Sequence, residues 1–397
     1  MNTHTQTGTK IIPIAQRLAR KAVIIGGGIG GLTTAIALQQ RGVDAHVYEA
    51  APEIHAVGAG IWVAPNALAV FQRLGFLDEI ISGGFNVTSS CISDTTGRML
   101  QSFSPSEMST SRLPLVPIHR AVLQERLIAH LKPNTLHLAK RCTGIEQHEN
   151  GVTVQFEDGS TAMGDILIGA DGIRSVVRTA LFGATDYRYS GQTCWRGIVN
   201  FRMPEASAAT EMWSSKPGVR LGYSHVNAEQ VYFYATACAP HGGNDTPGTI
   251  RQRLAELYSD FPLYLREMLA AADESKIIRN DIWDFAPISS WHKGRVVLLG
   301  DAAHATTPNM GQGGCQAIED AYALAKALSL ETSLGAAFKH YETNRMKKAH
   351  FVVNTSYRIG QITNWGGTKA RLRNMAVSLA PKSAAKRQFN YLFNLEF

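Results

Sequence analysis

The stretch "AVIIGGGIGGLTTAIALQQRGVDAHVYEA" (residues 22–50) decides the fold. An apolar run stops at a cluster of glycines, continues with helical spacing, and returns to an apolar run ending at Glu49, which reads as a βαβ unit. Gly26, Gly28 and Gly31 stand in the G-x-G-x-x-G spacing. The first glycine permits the tight turn, the second lets a pyrophosphate approach the backbone, and the third lets the helix pack on the strand. The helix then turns its free N–H groups and positive dipole end toward the phosphates. Glu49, at the end of the second strand, is placed to bind an adenosine ribose. An acid there favours an unphosphorylated 2′-hydroxyl, as in FAD or NAD, over NADP.

Working outward, the chain has 397 residues, 45% of them hydrophobic and 18% charged, enough to bury a large core in about two domains. No stretch approaches the roughly 20 apolar residues of a membrane span, and the opening twenty residues lack the apolar region of a secretory signal. They read as a loose tail, with a basic targeting peptide as the alternative. The net charge of +7 is unevenly placed, since residues 339–397 carry eleven Lys/Arg against two Glu. Without a nucleic-acid motif, that basic end is expected to be a solvated helical face, with contact to an anionic membrane or a partner as the alternative. The five cysteines are odd in number and lack CxxC spacing, which predicts a reducing, cytoplasmic setting with neither a disulfide framework nor a metal site.

A second glycine-rich stretch, "GDAAHATTPNMGQGGCQAIEDA" (residues 300–321), follows the buried-strand pattern "VVLL". Glycines there predict close approach of backbone to a ligand. Helical spacing of Ala317, Ile318, Ala321, Leu324, Ala325 and Leu328 predicts a helix from about Gln316, its positive end facing that ligand.

This stretch resembles the second flavin-contact segment of the FAD-dependent aromatic hydroxylases, the single-component group that includes 4-hydroxybenzoate, salicylate and urate hydroxylases and zeaxanthin epoxidase. "ILIGADGIRSVVR" (166–178) is similar to the family's internal Asp-Gly motif, and "PIHRAVLQERL" (117–127) to its Arg-containing segment. The four motifs keep the family's order. The resemblance implies that Asp301 binds the ribityl chain of FAD and that the backbone of Gly311, Gln312, Gly313 and Gly314 meets the pyrimidine edge of the flavin, with Cys315 beside it. Gly30, Ala50, Trp62 and Arg120 are further cofactor contacts it implies. Pro308 is a candidate to turn its carbonyl toward the reacting face. His304 is expected to make a local hydrogen bond.

The implied fold is α/β. A Rossmann-like FAD-binding domain (21–185 and 281–365) carries an inserted antiparallel-sheet substrate domain (186–280), and a basic helical segment (366–397) follows. No second G-x-G-x-x-G appears, and the resemblance implies NAD(P)H as a transient co-substrate that binds without a Rossmann domain of its own. The implied reaction is hydroxylation of a small electron-rich aromatic or heteroaromatic compound with molecular oxygen, through a flavin C4a-hydroperoxide, leaning to a urate-like or hydroxybenzoate-like substrate. A reductase or epoxidase of the same superfamily and a non-enzymatic FAD-binding sensor are the alternatives. Arg220 and Tyr232, twelve residues apart across an alternating hairpin, are the candidate substrate contacts, and their spacing is similar to that of the urate hydroxylases. "CWRG" with Arg196 is instead similar to salicylate-hydroxylase-like members.

Overall fold

The computed structural model describes residues 18–54, 59–104, 112–204, 208–246 and 248–395. The expected tail and the targeting alternative fall largely on residues 1–17, outside the described residues. In chain order the first segment runs β1 (Lys21–Ile25), α1 (Ile29–Gln39), β2 (Asp44–Tyr48), β3 (Gly60–Val63), α2 (Pro65–Leu74), α3 (Leu77–Gly83), β4 (Ser89–Asp94), β5 (Met99–Phe103), β6 (Val116–His119) and α4 (Arg120–Ala129). Next come β7 (Leu136–His137), β8 (Cys142–His148), β9 (Gly151–Phe156), β10 (Thr161–Gly164), β11 (Ile166–Gly169) and α5 (Val176–Phe182). The middle region comprises β12 (Tyr187–Asn200), β13 (Ala208–Trp213), β14 (Arg220–His225), β15 (Gln230–Cys238), α6 (Ile250–Leu257), α7 (Leu263–Ala271) and β16 (Ile278–Phe285). The chain closes with β17 (His292–Lys293), β18 (Val296–Leu298), α8 (Asp301–His304), α9 (Gly313–Leu330), α10 (Leu334–Thr363), α11 (Gly367–Leu379) and α12 (Lys382–Phe393).

Two sheets organise these elements. The first has the order β17-β18-β11-β1-β2-β7 and is parallel except at the edge strand β17. Val23, Ile24, Ile166, Leu167, Val296 and Val297 of its central strands are fully buried, as expected where helices cover both faces. The carboxyl ends of β1 and β18 therefore open onto one edge, the usual ligand side of such sheets.

The second sheet, β16-β12-β15-β14-β13-β4-β5, is antiparallel except where β13 runs parallel to β4. It reaches beyond the 186–280 span expected from sequence texture. Ala208 pairs with Ser89, bringing β4 and β5 in from the first segment, and Tyr187 pairs with Phe285, extending the sheet past residue 280. One face buries Trp195, Leu221, Phe233 and Ala235 under Leu254, Tyr258, Leu265 and Met268 of α6 and α7. Because strand side chains alternate, the other face collects the residues in between, and it lies over the FAD-binding half.

Candidate active site

The first glycine loop is shaped by contacts that exclude side chains everywhere except where a ligand would lie. Gly26 sits at φ +109°, and a Cβ on it would fall 2.3 Å from the Ala170 carbonyl oxygen. A Cβ on Gly31 would fall 2.0 Å from the Gly26 oxygen, so this glycine sets the approach of α1 to β1. Gly30 faces Leu299 and Ala317 at 3.0 and 3.1 Å and lets α1 pack on α9. A Cβ on Gly28 would meet nothing within 4 Å. Gly28 is also the N-cap of α1 and caps it with no side chain, leaving the first-turn N–H groups open to an anion. Glu49 accepts from the Gly27 and Ala51 amides at 2.6 and 2.9 Å, which fixes its carboxylate beside the loop, with Ala50 on the same turn.

The Asp-Gly motif serves this cradle from behind. Asp171 accepts from Ser175 Oγ and from the amides of Val176 and Val177, capping α5, while its neighbour Ala170 packs against Gly26. Arg178 is buried and donates to the carbonyl oxygens of Ala302 and Ile173, tying this motif to the second glycine loop.

In that second loop, Asp301 opens α8 rather than ending a strand. Its carboxylate is exposed to the cleft and accepts no hydrogen bond among the described residues. Enclosure by protein on its other sides pushes its pKa up, and His304, Arg120 and Arg178 oppose that rise. A pyrophosphate cradle, a held acid for ribose and a free acid for a polyhydroxyl chain fit FAD. The helix expected from about Gln316 begins three residues earlier, at Gly313, so Gly313 and Gly314 form its first turn and bring their N–H groups to the cleft. The Pro308 carbonyl, expected to face the reacting side, accepts from the Gly311 amide within a 3-10 turn. Cys315 is buried: its thiol donates to the Trp62 carbonyl and accepts from the Ala64 amide, both at 3.4 Å, and burial pushes its pKa up to about 12. It therefore holds β3 against α9 and is not an activated thiol.

Beneath the loop lies a buried ionic network whose roles sequence reading missed. His304 and the Gly300 amide both meet Asp320, at 2.6 and 2.9 Å. Arg345 bridges Asp320 and Glu319, and Lys348 adds a second cation to Glu319. Adjacent acids inside the apolar spacing of α9, with Arg345 and Lys348 three apart on α10, were the signal available.

The second sheet roofs the cleft. Arg220 pairs with Thr236 and Ser224 with Tyr232, so Arg220 and Tyr232 do share a face, together with Arg196, Glu211, Trp213 and Tyr234. They do different things. Arg220 is buried and donates to Glu211 at 2.9 Å and to Asn309 of the flavin loop at 2.7 Å, with its Nε left unpartnered. Tyr232 packs against Gly60, where a Cβ would fall 2.4 Å from its ring. Trp62 donates to Ser224 at 3.0 Å, meets Tyr234 edge-on, and lies 3.7 Å from where a Cβ on Gly311 would be.

Arg196 faces the same chamber. One of its nitrogens donates to Asn280 at 2.6 Å, while its buried Nε has no hydrogen-bond partner. Arg120, the first residue of α4, has its pKa lowered by burial and then by Arg196, with Asp301 opposing. Two arginines thus flank one cleft. Among the described residues no cluster of metal-ligating side chains occurs, and no helix is long and apolar enough to cross a membrane.

Residues 20–356 match the family described as FAD binding domain. The chain belongs to that family. Among curated relatives of this FAD-binding family member, the aurachin C monooxygenase/isomerase of Stigmatella aurantiaca is 40% identical over 86% of this chain and 89% of its own length. An FAD-dependent urate hydroxylase of Klebsiella pneumoniae is 36% identical over 87% and 90%. Among solved structures, Klebsiella pneumoniae HpxO complexed with FAD and uric acid superposes with a TM-score of 0.86 at 32% identity, covering 93% of this chain and 95% of that one. With these relatives and this site, the FAD-binding family member is an enzyme, an FAD-dependent monooxygenase, with NAD(P)H as its co-substrate.

Proposed function

We propose that this enzyme hydroxylates a compact, electron-rich nitrogen heteroaromatic compound that carries an ionisable oxygen, and that Arg196 and Tyr232 orient that oxygen. The observation that carries the reading is the unpartnered, buried Nε of Arg196, which unlike Arg220 has no carboxylate partner among the described residues, beside Tyr232, Tyr234 and Trp62. A buried guanidinium nitrogen without an acceptor is a site built for one, and an oxyanion satisfies it best. Relatives named for urate add weight to a heterocycle over a simple benzoate.

FAD, when bound, supplies the electron and oxygen transfer, drawing on NAD(P)H and molecular oxygen. The chain's own residues hold and shield. Gly28 and the first turn of α1 receive the pyrophosphate, Glu49 the ribose and Asp301 the ribityl hydroxyls. The N-terminus of α9 favours negative charge at the ring edge it faces. Arg220 fixes the flavin loop through Asn309 rather than touching substrate, and the aromatic walls exclude water from the reacting face.

The test is oxygen-dependent NAD(P)H oxidation against a panel of purines, hydroxyquinolines, phenols and benzoates. Heterocycles with an acidic hydroxyl should stimulate oxidation most, and Arg196→Gln should raise KM for them by about tenfold or more with FAD content unchanged. Equal stimulation by benzoates, or an unchanged KM in Arg196→Gln, would refute the assignment. Turnover without oxygen would indicate a reductase.

A further inference from the structure

The C-terminal helices carry a feature that the chemistry above does not use. On helix α11, Ala370, Arg373 and Asn374 are buried, while Leu372, Met375 and Leu379 on the opposite side are 58%, 52% and 74% exposed. Residues spaced i, i+3 and i+7 form one stripe along a helix, so these three present a continuous apolar edge outward. Just before α11 in the chain, Trp365 and Ile362 are also exposed, at 43% and 41%. Met99 of β5 extends the stripe across a groove shared with Ser378, Ala380 and Lys382.

Charge surrounds the stripe with one sign. Lys369 and Arg371 flank it on α11, Lys382, Lys386 and Arg387 are exposed on the next helix, and residues 343–395 contain no acid. An outward apolar edge bordered by cations is the pattern of a helix that lies in the plane of an anionic lipid surface. A second copy of this chain would set cation against cation across a twofold axis, so complementarity favours lipid over self-association.

We infer that α11 and its flanks dock the enzyme reversibly on an anionic membrane surface. The buried side of the same helix closes one end of the substrate chamber. Arg373 donates to the Thr363 and Ser214 carbonyls and stacks 4.9 Å from the ring of Trp213, which pairs with Arg220 on the chamber face. Docking therefore sets the chamber beside lipid, which suits a ring substrate carrying an apolar substituent. That last point rests on the monooxygenase reading of the chamber.

The test is co-sedimentation of the full, FAD-loaded chain with vesicles of phosphatidylcholine, alone or mixed with phosphatidylglycerol, without substrate. The chain should sediment with the anionic vesicles and be released at high salt. Leu372→Ser/Met375→Ser/Leu379→Ser should cut partitioning by at least about tenfold, and Lys369→Glu/Arg371→Glu should do the same on anionic vesicles. Both variants should keep their FAD and their lipid-free NAD(P)H oxidation. A chain left in the supernatant at low salt would overturn the proposal, as would binding that survives both variants. So would a dimer in sedimentation equilibrium that the triple serine variant dissolves. Binding is read without turnover, so its failure leaves the heteroaromatic reading standing, and failure of that reading leaves docking standing.

Discussion

Replacing Arg220 with methionine separates two jobs that the guanidinium does at once. It neutralises Glu211 on a neighbouring strand, at 2.9 Å, and it holds Asn309 of the flavin loop, at 2.7 Å. Arg220→Met leaves the Glu211 carboxylate with only neutral donors, the Trp213 indole N–H at 2.8 Å and the Tyr234 hydroxyl at 2.9 Å. Breaking one side of such a pair costs about 3–5 kcal/mol, which urea unfolding would register. Adding Glu211→Gln removes the orphaned charge while keeping one acceptor oxygen for Trp213 and an amide that the Tyr234 oxygen can accept from, so the double variant should recover most of that loss. It should not recover the loop. Asn309 keeps its bonds to Thr307 and to the Ser356 carbonyl but lacks the charge-assisted one, worth about 1.5–3 kcal/mol. Both variants should therefore release severalfold more hydrogen peroxide per NAD(P)H consumed than the parent. Normal coupling in Arg220→Met, or coupling restored together with stability in the double variant, would refute the role given to Arg220.

Two further outcomes follow from geometry already described. Gly28→Ala should leave unfolding unchanged but weaken FAD retention measured by fluorescence titration, because its Cβ points into the ligand's space; Gly31→Ala should destabilise the fold itself, since its Cβ meets the Gly26 oxygen at 2.0 Å. For Asp320, burial raises the carboxyl pKa, but His304 and Arg345 outweigh it and bring it down to about 2. A depressed folded-state pKa adds stability at pH above the unfolded value near 4 that is lost as pH falls toward 2; this amounts to about 2 kcal/mol, and urea midpoints should fall less steeply over that window in Asp320→Asn than in the parent.

The parts of this fold that were legible in the sequence are those encoded locally. Gly26, Gly28 and Gly31 with Glu49 announce strand, turn, helix and strand within thirty residues, because each glycine answers a contact made inside that unit or just behind it. Likewise the apolar spacing from Ala317 onward announces α9, although its start was read three residues late because glycine carries no periodic signal. What stayed hidden was pairing between distant residues. Nothing near Ser89 indicates Ala208, and nothing near Arg220 indicates that Asn309 and Glu211 would each take one of its terminal nitrogens. Arg220 and Tyr232 were correctly set on one face by hairpin arithmetic, but that arithmetic cannot say which side chain is already spoken for. The outward apolar edge of α11 was equally invisible, since helical spacing does not reveal which face the rest of the molecule will cover.

The roof over the cleft is sewn from three separate lengths of chain, with β4 and β5 from the first, β12 to β15 from the second, and β16 running directly into the return to the parallel sheet. Such a sheet has no single hinge. Opening it as a lid would tear the Ala208–Ser89 and Tyr187–Phe285 seams together. For the same reason residues 186–280 are not a transplantable cassette: expressed alone they would expose the edges of β13 and β12 that β4 and β16 cover, and bare strand edges recruit one another into aggregates. Altering specificity here means repainting the chamber in place, one side chain at a time.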